Sequence, residues 1–159
     1  MSDGSLGSRV EREDADPARS PNGEPGIVES QLSHLFESMR PIARSATATV
    51  FSAVQRSTRR LVAVKVVPMP PGLSSDAVVA EVAIHAEVSA HPHVATLLDA
   101  GHTPNGMLWL SLEYVPTSLQ ARLDRRPVDP VELLRIAGEL TDAVAAVHAR
   151  GVFHCDLKP

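Results

Sequence analysis

Two stretches of this chain carry residue types that could do chemistry. In the first, Gly151-Val152-Phe153-His154-Cys155-Asp156-Leu157-Lys158-Pro159, an acid and an amine stand two positions apart. At that spacing in an exposed loop, Asp156 can accept a hydroxyl proton while Lys158 neutralises an anionic oxygen beside it. In the second, Lys65 interrupts an otherwise apolar run, Leu61-Val62-Ala63-Val64-Lys65-Val66-Val67. A lysine there reads by default as a solvent-facing residue on a half-buried strand. By alternation it shares a face with Ala63.

The elements that must position these residues follow from patterning. Met1 to Pro25 is rich in Ser, Gly, Pro and charge and too poor in apolar residues to order itself, so 1–25 reads as a disordered acidic tail. Ile27, Val28, Leu32, Leu35, Phe36 and Met39 recur at close to helical spacing, which fits a short amphipathic helix or the run-in to a first strand. From Arg40 onward the segments are β-type. Thr47 to Val54 and Leu61 to Val67 are two strands of a hairpin, with Ser57-Thr58-Arg59-Arg60 between them as the turn. Pro68 to Gly72 stops the second strand. Ser74-Ser75-Asp76 caps a helix over about Ala77 to Ser89, with Val78, Val82 and Val88 as buried positions. Val94 to Gly101 and Met107 to Tyr114 are strands joined at Pro104-Asn105-Gly106. A short helix over Ser118 to Leu123 precedes a long one, capped by Asp129 with Pro130 at its first position and closed near Gly151.

Composition narrows the function. Apolar residues make up 43% of the 159, but aromatics only 3%, so the core is built from Val, Leu, Ile and Ala. The net charge of −4 provides no basic footprint for nucleic acid and no polybasic membrane patch. Cys155 is the single cysteine, which excludes an internal disulfide. With no apolar run near the ~20 residues of a membrane span, and an acidic N-terminus unlike a signal peptide, the chain reads as cytoplasmic.

The motifs, in order, resemble those of the protein kinase family over about Arg40 to Pro159. Val62-Ala63-Val64-Lys65 resembles the strand that carries the phosphate-holding lysine. Leu110-Ser111-Leu112-Glu113-Tyr114-Val115 looks like the hinge between the two lobes. Asp156-Leu157-Lys158-Pro159 is similar to the serine/threonine form of the catalytic loop. The resemblance implies an α+β fold. A kinase-like small lobe, an antiparallel sheet with one helix, would span 26–114. The hinge and the first helices of an incomplete helical large lobe would span 115–159.

The same resemblance implies ATP as cofactor and phosphoryl transfer to hydroxyls of a protein substrate. Lys65 would hold the α- and β-phosphates, beside Ala63, whose small side chain lies against a flat ring. Glu81 would fix Lys65; it lies eleven residues before Pro92 and suits the role better than Glu87 in the helix's last turn. The backbone of Glu113 and Val115 would bond adenine, with Leu112 as gatekeeper. Asp156 would orient the substrate hydroxyl and Lys158 would steady the γ-phosphate.

The chain also departs from the family pattern. With Val50 aligned to the valine that follows the glycine-rich loop, Ala43, Ser45 and Ala48 stand at the three glycine positions. Glycine serves there because backbone must approach phosphate and adopt positive φ, so weakened nucleotide binding is expected. Cys155 replaces an arginine that receives a phosphorylated activation loop in many kinases, and reads as a structural thiol. His154 reads as a packing residue. His91-Pro92-His93 reads as a structural turn; no metal site is assigned. Magnesium belongs to the family, but its two ligands, the catalytic-loop Asn and the Asp of Asp-Phe-Gly, are absent from these residues. The expectation is a chain without turnover of its own, or a pseudokinase-type nucleotide- or protein-binding module. The aliphatic face at Leu133, Leu134, Ile136, Ala137, Leu140, Val144 and Val147 is expected to be exposed and to drive association.

Overall fold

A computed structural model describes residues 25–69, 75–154 and 157–158, without the side chains of 75–78 and 81. Helix α1 (Pro25–Leu32) leads into β1 (Phe36–Arg44), β2 (Thr49–Gln55) and β3 (Arg60–Val67). Then come α2 (Ser75–Val88), β4 (Leu97–His102), β5 (Leu108–Glu113), α3 (Leu119–Leu123) and α4 (Pro130–His148). The five strands form one antiparallel sheet in the order β1-β2-β3-β5-β4. The fold is α+β, a five-stranded antiparallel sheet followed by helices, as the resemblance implies.

The apolar series from Ile27 to Met39 divides between two elements. Its first residues lie on α1, and from Phe36 the chain is already strand, so the helical spacing ends at Leu32. Val28, Leu32 and Phe36 are all buried in one cluster, joined at its edge by Leu35 and Met39. The helix and the strand thus feed the same core. Of the expected tail, only Pro25 is described, as the first residue of α1.

β3 alternates as its sequence requires. Val62, Val64 and Val66 are buried, whereas Leu61 and Lys65 are exposed. The three valines join Phe51, Ala53, Met107 and Trp109 under α1. At about 1.5–3 kcal/mol for each large side chain removed from water, this face dominates the stability of the lobe. The opposite face holds a smaller cluster of Leu108 and Leu110, with Val67, Val82, Leu97 and Ala100 packed against it. Val82 comes from α2, as expected, and Val88 at its end is buried. The helix starts at Ser75; Ser74 and the side chains of Ser75, Asp76 and Val78, which would make the expected cap and core contact, lie outside the described residues.

β1 is an edge strand, which lets it hold Pro41 without breaking a ladder. Its register slips twice, between Glu37 and Arg40 and between Pro41 and Ala43. The first slip coincides with a left-handed residue, Ser38 at φ 55°. At the far edge, Gly101 lies against the indole of Trp109. A Cβ there would sit 2.7 Å from Cζ2 and 2.9 Å from Cε2 of the ring. Trp109 cannot retreat, because it also meets Phe36 edge-on at 5.4 Å. Gly101→Ala is therefore expected to cost about 1–3 kcal/mol through overpacking, read as a lower urea midpoint at unchanged slope.

Asp129 caps α4 by accepting the Val131 N–H at 2.8 Å, and Pro130 opens the helix. Gly151 follows the helix at φ 73°, a left-handed position suited to glycine. Ala143 is the buried residue of α4. Of the expected aliphatic face, Leu133, Leu134, Ala137 and Leu140 are exposed, whereas Ile136, Val144 and Val147 are half-buried, so the face is only partly uncovered. Among the described residues no helix is long and apolar enough to cross a membrane.

Candidate functional site

The sheet register brings the sequence candidates into adjacent rows. Ala43 pairs with Val50, Val50 with Lys65, Lys65 with Leu110, and Leu110 with Ala100. In the next row Arg40 pairs with Ser52, Ser52 with Ala63, Ala63 with Leu112, and Leu112 with Leu97. Partners directly opposite in an antiparallel ladder project to one face. Since the valines of β3 fill the α1 face, Ala63 and Lys65 belong to the other, the face on which α2 packs. Lys65 is exposed there, and Ala63 and Leu112 are half-buried.

The glycine-position residues sit at the β1–β2 tip. Ala43 belongs to β1, Val50 to β2, and residues 45–48 form the turn. The Ser45 N–H donates to the Ala48 carbonyl at 2.9 Å. The Ser45 hydroxyl accepts the N–H of Thr47 at 3.3 Å and of Ala48 at 3.1 Å. The only positive-φ residues other than glycine among those described are Ser38 and Arg59. Residues 43–48 thus make this turn without left-handed backbone, and the alanines and serine there carry no such strain. The positive φ that would call for glycine is absent because this turn has a different geometry from one that demands it.

The hinge segment is anchored at its start. The Glu113 N–H donates to the Thr96 carbonyl at 2.9 Å, and the Glu113 carboxylate accepts from Thr96 Oγ1 at 2.7 Å. These two bonds tie the end of β5 to the lead-in of β4. Val115 lies beyond the strand and is exposed; among the described residues its backbone makes no hydrogen bond. The Thr96 contact was invisible to motif reading, which valued Glu113 only for its backbone.

Glu81 lies on α2, but its side chain is outside the described residues, so its pairing with Lys65 remains an expectation. Asp156 and Cys155 lie outside them too. Among their described sequence neighbours, His148 and Phe153 meet with ring centroids 4.9 Å apart and planes tilted by 43°, and Leu157 and Lys158 are exposed. His154 and Leu157 help line a cavity of about 410 Å³ with Val88 of α2 and Leu140, Val144 and Val147 of α4.

A contact absent from the motif reading joins the sheet region to α4. His91 Nε2 lies 3.3 Å from Asp142 Oδ2, and His91 Nδ1 accepts the His93 N–H at 3.3 Å. His91 therefore acts as a structural post of the His-Pro turn. Among the described residues no group of three His, Cys, Asp or Glu side chains could hold a metal ion.

Comparison with known proteins points the same way. Residues 36–159 match the family described as protein kinase domain. The chain is 32% identical over 140 residues to the serine/threonine-protein kinase PknK of Mycobacterium tuberculosis, covering 85% of this chain and 12% of that protein. It is 32% identical over 139 residues to cyclin-dependent kinase B2-1 of Oryza sativa subsp. japonica, covering 79% and 42%. It is 28% identical over 131 residues to calcium/calmodulin-dependent protein kinase type 1B of Rattus norvegicus, covering 80% and 38%. The chain thus spans well under half the length of these curated relatives.

Proposed function

This chain belongs to the protein kinase family, and from that premise we propose that its Lys65 face is the ATP-binding half of a serine/threonine protein kinase site. The observation that carries the reading is the register. It aligns Ala43, Val50 and Lys65 in one row and Ser52, Ala63 and Leu112 in the next, on the same face. The residues fit a nucleotide chemically. Ala63 leaves room for a flat base, and the Val115 backbone is free among the described residues to bond the base edge beside the Glu113 carbonyl. Lys65 presents an ammonium to phosphate oxygens from an exposed position on that face. Glu81 fixes that ammonium, Asp156 takes up the hydroxyl proton of a protein substrate, and Lys158 neutralises the adjoining oxygen. ATP, when bound, supplies the phosphoryl group.

These 159 residues contain no Asp-Phe-Gly, the segment that provides a magnesium ligand in the family. We therefore assign nucleotide binding to this stretch, and turnover to a polypeptide that also carries that segment. A second reading, a pseudokinase-type nucleotide- or protein-binding module, is supported by the β1–β2 tip, where the amides of Ser45, Thr47 and Ala48 are already hydrogen-bonded.

Titration of the purified chain with adenosine and with ATP, each with and without magnesium and followed by thermal shift, tests both readings. Stabilisation that grows with ligand concentration, and that magnesium leaves unchanged, is the expected result. A flat melting temperature with every ligand rejects the nucleotide site and leaves protein docking.

A further inference from the structure

The turn at residues 45–48 already uses most of the hydrogen-bond donors that a phosphate-covering loop would offer. Three of its N–H groups are taken: that of Ser45 by the Ala48 carbonyl, and those of Thr47 and Ala48 by the Ser45 hydroxyl. The hydroxyl also lies 3.3 Å from the Ala48 carbonyl and 3.4 Å from Thr47 Oγ1, so it sits within the turn it closes. A concave anion nest needs alternating right- and left-handed residues, and none between 43 and 48 has positive φ. In this conformation the tip therefore makes no preformed nest, and its amides are not free to meet an anion one by one.

We propose that Ser45 is a specificity-determining latch: its hydroxyl withholds the tip amides from the polyphosphate, so the site favours the adenosine moiety. The proposal rests on the nucleotide-site reading and says how that site chooses its ligand. A phosphate oxygen is a stronger acceptor than a neutral hydroxyl, but here it must displace bonds already made. Contact with the tip becomes an exchange instead of a gain. The phosphates are then left to cations on the sheet face, Lys65 first.

Ser45→Ala tests the latch, because it removes the acceptor and keeps the Cβ, leaving backbone freedom unchanged. The expected result is roughly tenfold tighter ATP binding, about the worth of one recovered charge-assisted hydrogen bond, with adenosine affinity unchanged. Ser45→Thr keeps the hydroxyl and should match the parent for both ligands. In the absence of ligand, the Thr47 and Ala48 amides of Ser45→Ala should exchange with solvent faster than in the parent. If adenosine and ATP bind but their ratio in Ser45→Ala equals that of the parent, the latch is wrong and the nucleotide site stands. Unchanged exchange at Thr47 and Ala48 overturns it as well. If the parent binds neither ligand, the site reading falls and the latch with it.

Discussion

Lys65→Met is expected to weaken ATP binding by about ten- to a hundredfold and to leave adenosine binding unchanged. The substitution keeps an unbranched side chain of similar length on β3, so the ladder partners Val50 and Leu110 are undisturbed. It removes the ammonium. A hydrogen bond to a charged group contributes about 1.5–3 kcal/mol, which sets the size of the loss. Isothermal titration with the two ligands separates the effects. Equal losses for ATP and adenosine would mean that the Lys65 face was damaged rather than uncharged; no loss for either would place the phosphates elsewhere. Because Lys65 is exposed, its replacement should leave the urea midpoint within about 0.5 kcal/mol of the parent. With Ser45→Ala, the pair forms a two-sided test of one idea: a site that holds phosphate by a strand lysine and not by a loop.

Phe51→Ala is expected to cost about 3–5 kcal/mol of folding stability. Phe51 is fully buried, pairs with Val64 across the ladder, and shares its cluster with Val28, Leu32 and Phe36. The other rings of the cluster, Phe36 and Trp109, are already engaged edge-on with each other at 5.4 Å. Domains of this size are stable by only about 5–15 kcal/mol, so the variant should lie near the edge of folding at 37 °C. Equilibrium urea unfolding measures the shift, with Val131→Ala as the comparison. Val131 is 76% exposed on α4, and its truncation should stay within about 0.5 kcal/mol. A Phe51→Ala midpoint equal to that of Val131→Ala would show that the sheet core is not the seat of stability.

Much of the architecture was legible because it is local. The alternation around Lys65 predicts a strand with the lysine away from the core, and β3 is built that way. Asp129 and Pro130 predict the start of α4 from capping chemistry alone, to the residue. Periodicity and turn residues predict three strands, a helix and two strands, and β1–β3, α2 and β4–β5 follow that order. Where two elements shared one apolar series, as from Ile27 to Met39, spacing alone misplaced the boundary. A buried position on a strand and one on a helix are equally apolar, and a break of three residues between them leaves little trace.

Sequence by itself indicated most of the strands and helices, because periodicity and capping are properties of neighbours along the chain. Its resemblance to the protein kinase family named the residues proposed to act on a nucleotide. Tertiary structure decided the rest. It set β5 between β3 and β4, so that Lys65 lies opposite Leu110 and Ala63 opposite Leu112. It joined His91 to Asp142 and Thr96 to Glu113. At the β1–β2 tip it gave the amides to Ser45. Pairing and hydrogen-bond allocation are competitions among groups distant in sequence or rotatable in space, and only the folded arrangement selects the winner.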